Sequence, residues 1–208
     1  MVPYLTTRQF RPGPGHVTVD GDMRHPTVTC WQSAGAWFTE PVRIVVLSDT
    51  HVRDARLAGP DDLGLSNAAA DEIRRADVVL HCGDVVEPEL LRRLREAKPV
   101  HAVLGNNDTA LHGVLPERLI VEADGVRIAM VHDSGPTKGR PARVHRMFPD
   151  CDVVVFGHSH MPVNEAGLDG QWLLNPGSPT QRRRSPAHTI GVIETRDGAF
   201  WSAEIVEV

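Results

Sequence analysis

Apolar positions along the chain fall into short unbroken runs. Residues 43–47, 78–81, 100–104 and 153–156 are dominated by Val, Ile, Leu and Phe, the pattern of strands buried on both faces. Two helical segments separate the first three runs. In 66–76, Ser66 serves as a cap, Asp71 and Glu72 follow, and Ile73 shares a face with Ala69 and Ala70. In 88–97, Pro88 fits the first turn and Leu90, Leu91 and Leu94 share one face. Beyond Pro116 the pattern changes to hairpins. Strands are expected at 119–122 and 126–131 around Asp124-Gly125, at 163–166 and 171–174 around Asp169-Gly170, and at 190–194 and 200–206 around Asp197-Gly198. A short helix is expected at 141–148. Alternating strands and helices, followed mostly by strands, predict an α/β fold with two packed sheets and outer helices.

Residues 1–41 lack any sustained period and carry Pro3, Pro12, Pro14, Pro26 and Pro41 with Gly13, Gly15 and Gly21. They are expected to form a poorly structured N-terminal extension, although Trp31, Trp37 and Phe38 give it docking capacity. His16, Asp20, Asp22 and His25 have metal-compatible chemistry but read as a solvated loop. One domain is expected over 42–208. A net charge of −5 argues against a general nucleic-acid binder. No apolar run approaches the roughly 18 residues of a membrane span, and no basic-then-apolar leader opens the chain. Cys30, Cys82 and Cys151 are scattered and form no C-x-x-C pair, so a reducing cytoplasm is the expected setting.

Candidate chemistry sits just after the apolar runs. Strand 44–47 leads into Ser48, Asp49, Thr50 and His51; 78–81 into Cys82, Gly83 and Asp84; 100–104 into Gly105, Asn106, Asn107 and Asp108. Strand 126–131 leads into His132 and Asp133, and 153–156 into Gly157, His158, Ser159 and His160. C-terminal strand ends are where open α/β sheets bind ligands. Carboxylate, imidazole and amide oxygen suit Mn²⁺, Fe, Zn²⁺, Co²⁺ or Ni²⁺. Seven such groups exceed one tetrahedral ion and fit two ions sharing a carboxylate. Each group alone is more often structural; His81, His101 and His145 are read as hydrogen-bonded core residues, and Cys82 and Cys151 as small buried apolar groups.

The blocks Asp49-x-His51, Gly83-Asp84, Gly105-Asn106-x-Asp108, His132 and Gly157-His158-x-His160 resemble the calcineurin-like metallophosphoesterases. Asn175-Pro176-Gly177-Ser178 resembles the small YfcE-like phosphodiesterase branch. The resemblance implies a sandwich of two mixed β-sheets flanked by helices. It implies a first divalent metal on Asp49, His51 and His160, a bridging Asp84, and a second metal on Asn106, His132 and His158, with Mn²⁺ the first choice. A hydroxide held between the metals would attack a small phosphate ester, a diester in preference to a monoester, so Asp49, Asp84, Asn106 and His132 would act through it. A different class of function is also implied: a catalytically weak, metal-binding scaffold similar to the small subunit of the retromer coat. The oligomeric state is left open, homo-oligomers included.

Two positions depart from the family pattern. Many relatives place His after Gly-Asn as a proton donor, where this chain has Asn107, which cannot act as a general acid. Leaving groups of low pKa are therefore the expected preference, unless His112 substitutes. Asp133 follows His132 where Gly is common, and either orients that imidazole or caps its own loop. Arg182, Arg183 and Arg184 read equally as an anion attractor at the site mouth or as a solvated run. Residues 54–65 read as a mobile loop beside the site.

Overall fold

The computed structural model describes residues 28–31, 41–53, 57, 59 and 62–208. Eleven strands and three helices follow in order among them: β1 (Val28–Trp31), β2 (Val42–Leu47), α1 (Asn67–Arg75), β3 (Val78–His81), α2 (Pro88–Ala97), β4 (Val100–Ala102), β5 (Arg118–Ala123), β6 (Val126–Val131), α3 (Arg140–Met147), β7 (Val153–Val155), β8 (Val163–Ala166), β9 (Trp172–Asn175), β10 (Thr189–Arg196) and β11 (Ala199–Glu207). They form a six-stranded sheet, β1-β5-β6-β7-β9-β8, and a five-stranded sheet, β11-β10-β2-β3-β4. Both are mixed. In the smaller sheet β2, β3 and β4 run parallel, while β10 pairs antiparallel with β2 and β11.

The unbroken apolar runs follow from a four-layer arrangement. Successive strand residues face opposite sides, and here both sides are covered. Ile44, Val46, Val78 and Leu80 meet Val121, Ile128, Met130, Val153 and Val155 between the sheets. Their neighbours Val45, Leu47 and Val79 face outward onto Ile73 of α1 and Leu90 and Leu94 of α2. On the opposite outer face, Ala129 and Val154 pack with Val144 of α3 and with Phe148 and Phe156. The Ser66 side chain accepts from the Ala69 amide and caps α1 as expected.

The N-terminal stretch is less uniform than its composition implies. Val28–Trp31 forms β1 and pairs in parallel with β5, from Val28 opposite Ile120 to Trp31 opposite Ala123. A four-residue edge strand is held by its partner's hydrogen bonds, so no periodicity of its own announces it. His16, Asp20, Asp22 and His25 lie outside the described residues, as does part of the expected 54–65 loop. Elsewhere in that loop, Leu57, Leu63 and Leu65 pack against the outer core, and Arg93 of α2 donates to the Gly59 and Asp62 carbonyls. His145 corrects the expectation of a core histidine: it is half-buried on α3, with Nε2 3.3 Å from Asp169. His101 is likewise only half-buried.

Candidate metal centre

The two sheets share one rim, and all seven predicted ligands meet there. Asp49 and His51 follow β2, Asp84 follows β3 and Asn106 follows β4, all from the smaller sheet. His132 follows β6, and His158 and His160 follow β7, from the larger one. Asp49, His51, Asp84, His158 and His160 all have positive φ, between 42° and 68°. That conformation is costly for residues other than glycine and is held only where the surroundings impose it. It is what turns both members of each i, i+2 pair toward one centre.

Of the glycines beside these ligands, Gly83 takes a left-handed φ of +89°, whereas Gly105 and Gly157 are required for space. A Cβ on Gly105 would collide with the Asp84 backbone nitrogen and Oδ1, and one on Gly157 with Ser48 Oγ. Neither takes a positive φ. Room for the carboxylates, rather than a sharp bend, excludes a side chain at these two positions.

Around the first group of ligands, His160 Nε2 lies 3.3 Å from Asp49 Oδ1 and 3.3 Å from His51 Nε2. The Nδ1 of His160 faces the Gln181 carbonyl, which can only accept, so Nδ1 carries the proton and Nε2 presents a lone pair. Asp49 Oδ2 accepts from Ser48 Oγ at 2.8 Å and the His158 amide at 2.9 Å. Asp49 Oδ1 is buried and has no hydrogen-bond partner. A lone pair, a second imidazole and an unpartnered carboxylate oxygen thus converge on one point, an arrangement that could hold a cation.

The second group repeats the device. His132 Nδ1 donates to the Cys82 carbonyl at 2.7 Å, aiming Nε2 at Asn106 Oδ1, 3.0 Å away, and at Asp84 Oδ2, 3.5 Å away. His158 Nδ1 lies 2.8 Å from the same Asn106 oxygen. Asp84 Oδ2 is also 3.5 Å from His51 Nε2, so it stands between the two groups, as a bridging carboxylate would. Candidate ligand atoms within 4.8 Å of one another define two triads, Asp49-His51-His160 and Asp49-Asp84-His132. Asp49 therefore also reaches both groups. Burial works against an ionised Asp84, yet hydrogen bonds from His132 and Asn107 hold its pKa well below the usual carboxylate range. Burial likewise works against a charged His132, but Asp84 and Asp49 raise its pKa, the response of a site that attracts positive charge. At His51, burial, with the charges of His160 and Arg183, lowers the pKa against the pull of Asp84 and Asp49.

Several supporting residues carry no metal-ligand signature in the sequence. The buried Asp108 carboxylate accepts from the amides of Asp84 at 2.9 Å, Gly105 at 2.8 Å and Val86 at 2.7 Å, clamping the β3 loop to the β4 loop. Asn175 Nδ2 donates to the Gly157 carbonyl at 2.8 Å and Ser159 Oγ at 3.1 Å. Ser178 Oγ donates to the Asp49 carbonyl at 2.8 Å. The Asn175 to Ser178 turn thus braces two ligand-bearing loops at once. Asn107 donates its amide to Asp84 Oδ1 at 2.8 Å and its side-chain Nδ2 to Asp84 Oδ2 at 2.6 Å. It orients the central carboxylate. Asp133 Oδ1 accepts from the Gly135 amide at 2.6 Å, so of its two expected roles it performs loop capping. His81 is buried with Nε2 3.1 Å from Thr50 Oγ1, and burial drives its pKa down to about 4, which keeps it neutral. His112 is exposed beyond a short 3₁₀ turn, Thr109–Leu111.

Comparison with known proteins extends over the same region. A calcineurin-like phosphoesterase superfamily domain model matches residues 42–198. A probable metallophosphoesterase of Methanothermobacter thermautotrophicus is 30% identical over 165 residues, 78% of this chain and 91% of its own. Another, from Methanocaldococcus jannaschii, is 35% identical over 157 residues, 74% of this chain and 76% of its own. Among solved structures, a predicted phosphoesterase of Streptococcus pneumoniae superposes with a TM-score of 0.61 at 22% identity, covering 82% of this chain and 91% of its own. Zinc-complexed Vps29 of Entamoeba histolytica gives 0.60 at 22% identity, covering 80% and 98%. The phosphoesterase YfcE of E. coli gives 0.53 at 20% identity, covering 78% and 98%. These three establish likeness of fold.

Proposed function

The chain belongs to the calcineurin-like phosphoesterase superfamily, and from that premise we propose that it is a two-metal phosphoesterase acting on small phosphate esters, diesters first. One observation carries the reading: His132 and His160 each have Nδ1 committed to a backbone carbonyl, so their Nε2 atoms face carboxylate oxygens 3.5 and 3.3 Å away, placed to bind a divalent cation together with them. Asp49, His51 and His160 would hold one ion, Asn106, His132 and His158 the other, with Asp84 shared. Divalent cations there, Mn²⁺ before Fe, Zn²⁺, Ni²⁺ or Co²⁺, would supply a water of lowered pKa and neutralise phosphoryl charge.

The chain's own groups do the rest. Water oxygen bonds to phosphorus and gives up a proton to solvent, the ester P–O bond breaks, and the departing oxygen gains a proton. Asn107 fixes Asp84 but has no proton to give, so that proton comes from solvent and good leaving groups react best. The Asn175 to Ser178 turn, similar to that of YfcE-like enzymes, supports the diester preference. Two buried free thiols, Cys82 and Cys151, are in keeping with a reducing cytoplasm as the working compartment.

The test is turnover of bis(4-nitrophenyl) phosphate by the Mn²⁺-loaded protein, with metal content measured alongside. Asp84→Ala is expected to lose at least a hundredfold in kcat together with part of the bound metal. Wild-type turnover no faster than that of Asp84→Ala would favour a second reading, a metal-holding scaffold with little turnover. The fold shared with Vps29, and an Asn107 amide committed to structure, support that alternative.

A further inference from the structure

The arginine run resolves into residues with different tasks. Arg182 NH1 donates to the carbonyls of Ser185 at 3.0 Å and Pro186 at 3.2 Å and so holds its own loop. Arg183 and Arg184 are exposed and have no carboxylate partner among the described residues. Both line a cavity of about 340 Å³, with Ser159 and Met161 on its other wall. Those two residues flank His160 in sequence, His160 bonds the Gln181 carbonyl two residues before Arg183, and the Arg183 charge acts on His51, so the cavity lies beside the candidate metal centre without being lined by its ligands. Its size is at the lower end of the range for small-molecule sites.

The loop presenting this pair is fastened to the centre. Ser178 Oγ donates to the Asp49 carbonyl and Thr180 Oγ1 to the Thr50 carbonyl, while His160 Nδ1 donates to the Gln181 carbonyl. Ser178 Oγ also accepts the Gln181 amide at 2.9 Å. Two residues beyond these attachments, Arg183 takes a φ of +49°, an unfavourable conformation for arginine. The guanidinium groups are therefore carried by braced backbone rather than by a free tail. On a chain of net charge −5, two guanidinium groups with no carboxylate partner among the described residues share one cavity. Their planar donor forks match phosphate oxygens.

Resting on the phosphoesterase reading, we propose that this cavity is a specificity subsite that seats a second phosphate group of the substrate. The preferred substrate class is then a phosphate ester or anhydride with two phosphates, one at the metal centre and one on Arg183 and Arg184. The exposed Met161 side chain offers an apolar wall for the organic part between or beyond them. A second phosphate is also a leaving group of low pKa when it is the departing half. That suits a centre where Asn107 replaces a proton donor.

Two measurements on the full chain test the assignment. The first is calorimetric titration of the metal-stripped protein with inorganic pyrophosphate. Wild type should bind, Arg183→Ala/Arg184→Ala should bind at least tenfold more weakly, and the charge-matched Arg95→Ala/Arg146→Ala should change less than twofold. No binding by wild type, or equal weakening in both double variants, overturns the subsite. The second uses Mn²⁺-loaded protein and compares kcat/KM for a nucleoside 5′-diphosphate with that for bis(4-nitrophenyl) phosphate. The ratio should fall at least tenfold in Arg183→Ala/Arg184→Ala, and an unchanged ratio overturns the proposal. Pyrophosphate binding without turnover of either ester would keep the subsite and remove the phosphoesterase reading instead.

Discussion

Asp108 serves as a fastener rather than a ligand. Its buried carboxylate satisfies three backbone amides, and two of these belong to Asp84 and to the residue preceding Asn106. Asp108→Ala leaves those donors without an acceptor. The expected loss is on the order of 3 kcal/mol, read as a lower urea midpoint, with metal affinity down about 10–100-fold because the ligands lose their support. Unchanged affinity in a folded variant would contradict the clamp. At Asn107 the expectation concerns chemistry. Log kcat across a series of aryl diesters should fall steeply as leaving-group pKa rises. Asn107→His should flatten that slope and accelerate the poorest leaving groups, by up to about 10²-fold, the lower range for general acid catalysis. The seven ligand types were legible in sequence because each follows an apolar strand. The purpose of Asp108, Asn175 and Ser178 was not, because a carboxylate, amide or hydroxyl that binds backbone looks the same in sequence as one that binds metal.

Among the elements, continuous apolar runs announced β2, β3 and β7, since strands covered on both faces need no polar alternation. The same logic fails for β1, whose four residues gain their order from β5. α1 is fastened to the smaller sheet by a charged cluster. Arg43 of β2 bonds Glu72 of α1 at 2.7 Å and Glu194 of β10 at 2.8 Å, and Arg75 bonds Glu72 at 2.7 Å. The Glu72 side chain is only 12% exposed. The Arg43 hydrogen bond, opposed by burial, lowers its pKa below the ordinary 4.5. A depressed carboxylate stabilises the folded state in full above its ordinary pKa and loses that contribution as pH falls through its folded value. Glu72→Gln should therefore cost on the order of 1 kcal/mol near neutrality, allowing for the part-exposed Arg43. The difference from wild type should shrink steadily below about pH 4.5. Chemical denaturation at a series of pH values measures it, and a gap that widens in acid would refute the assignment.

On the scale of the whole molecule, the candidate centre joins two sheets rather than lying on one. Asp49, His51, Asp84 and Asn106 come from the ends of one sheet, and His132, His158 and His160 from the other. Five of the seven sit in left-handed backbone, and the two carboxylates at the centre are buried. Without a cation, strain and like charge converge on the seam between sheets. An ion that binds only the folded arrangement offsets the like charge and favours the strained backbone that presents its ligands, and at a free concentration one hundred times its Kd it adds about 2.7 kcal/mol per site. For a domain near 200 residues that corresponds to a Tm increase of roughly 5–10 °C. Chelation, which empties both sites, should lower the Tm by up to about twice that shift, and added Mn²⁺ should restore it. In Asp84→Ala, which removes the carboxylate between the two groups, the metal-dependent shift should fall by half or more while the metal-free Tm holds or rises. If chelation left the wild-type Tm unmoved while stoichiometric ion was demonstrably removed, the centre would not be a staple between the sheets, and the strained backbone at its rim would need another cause.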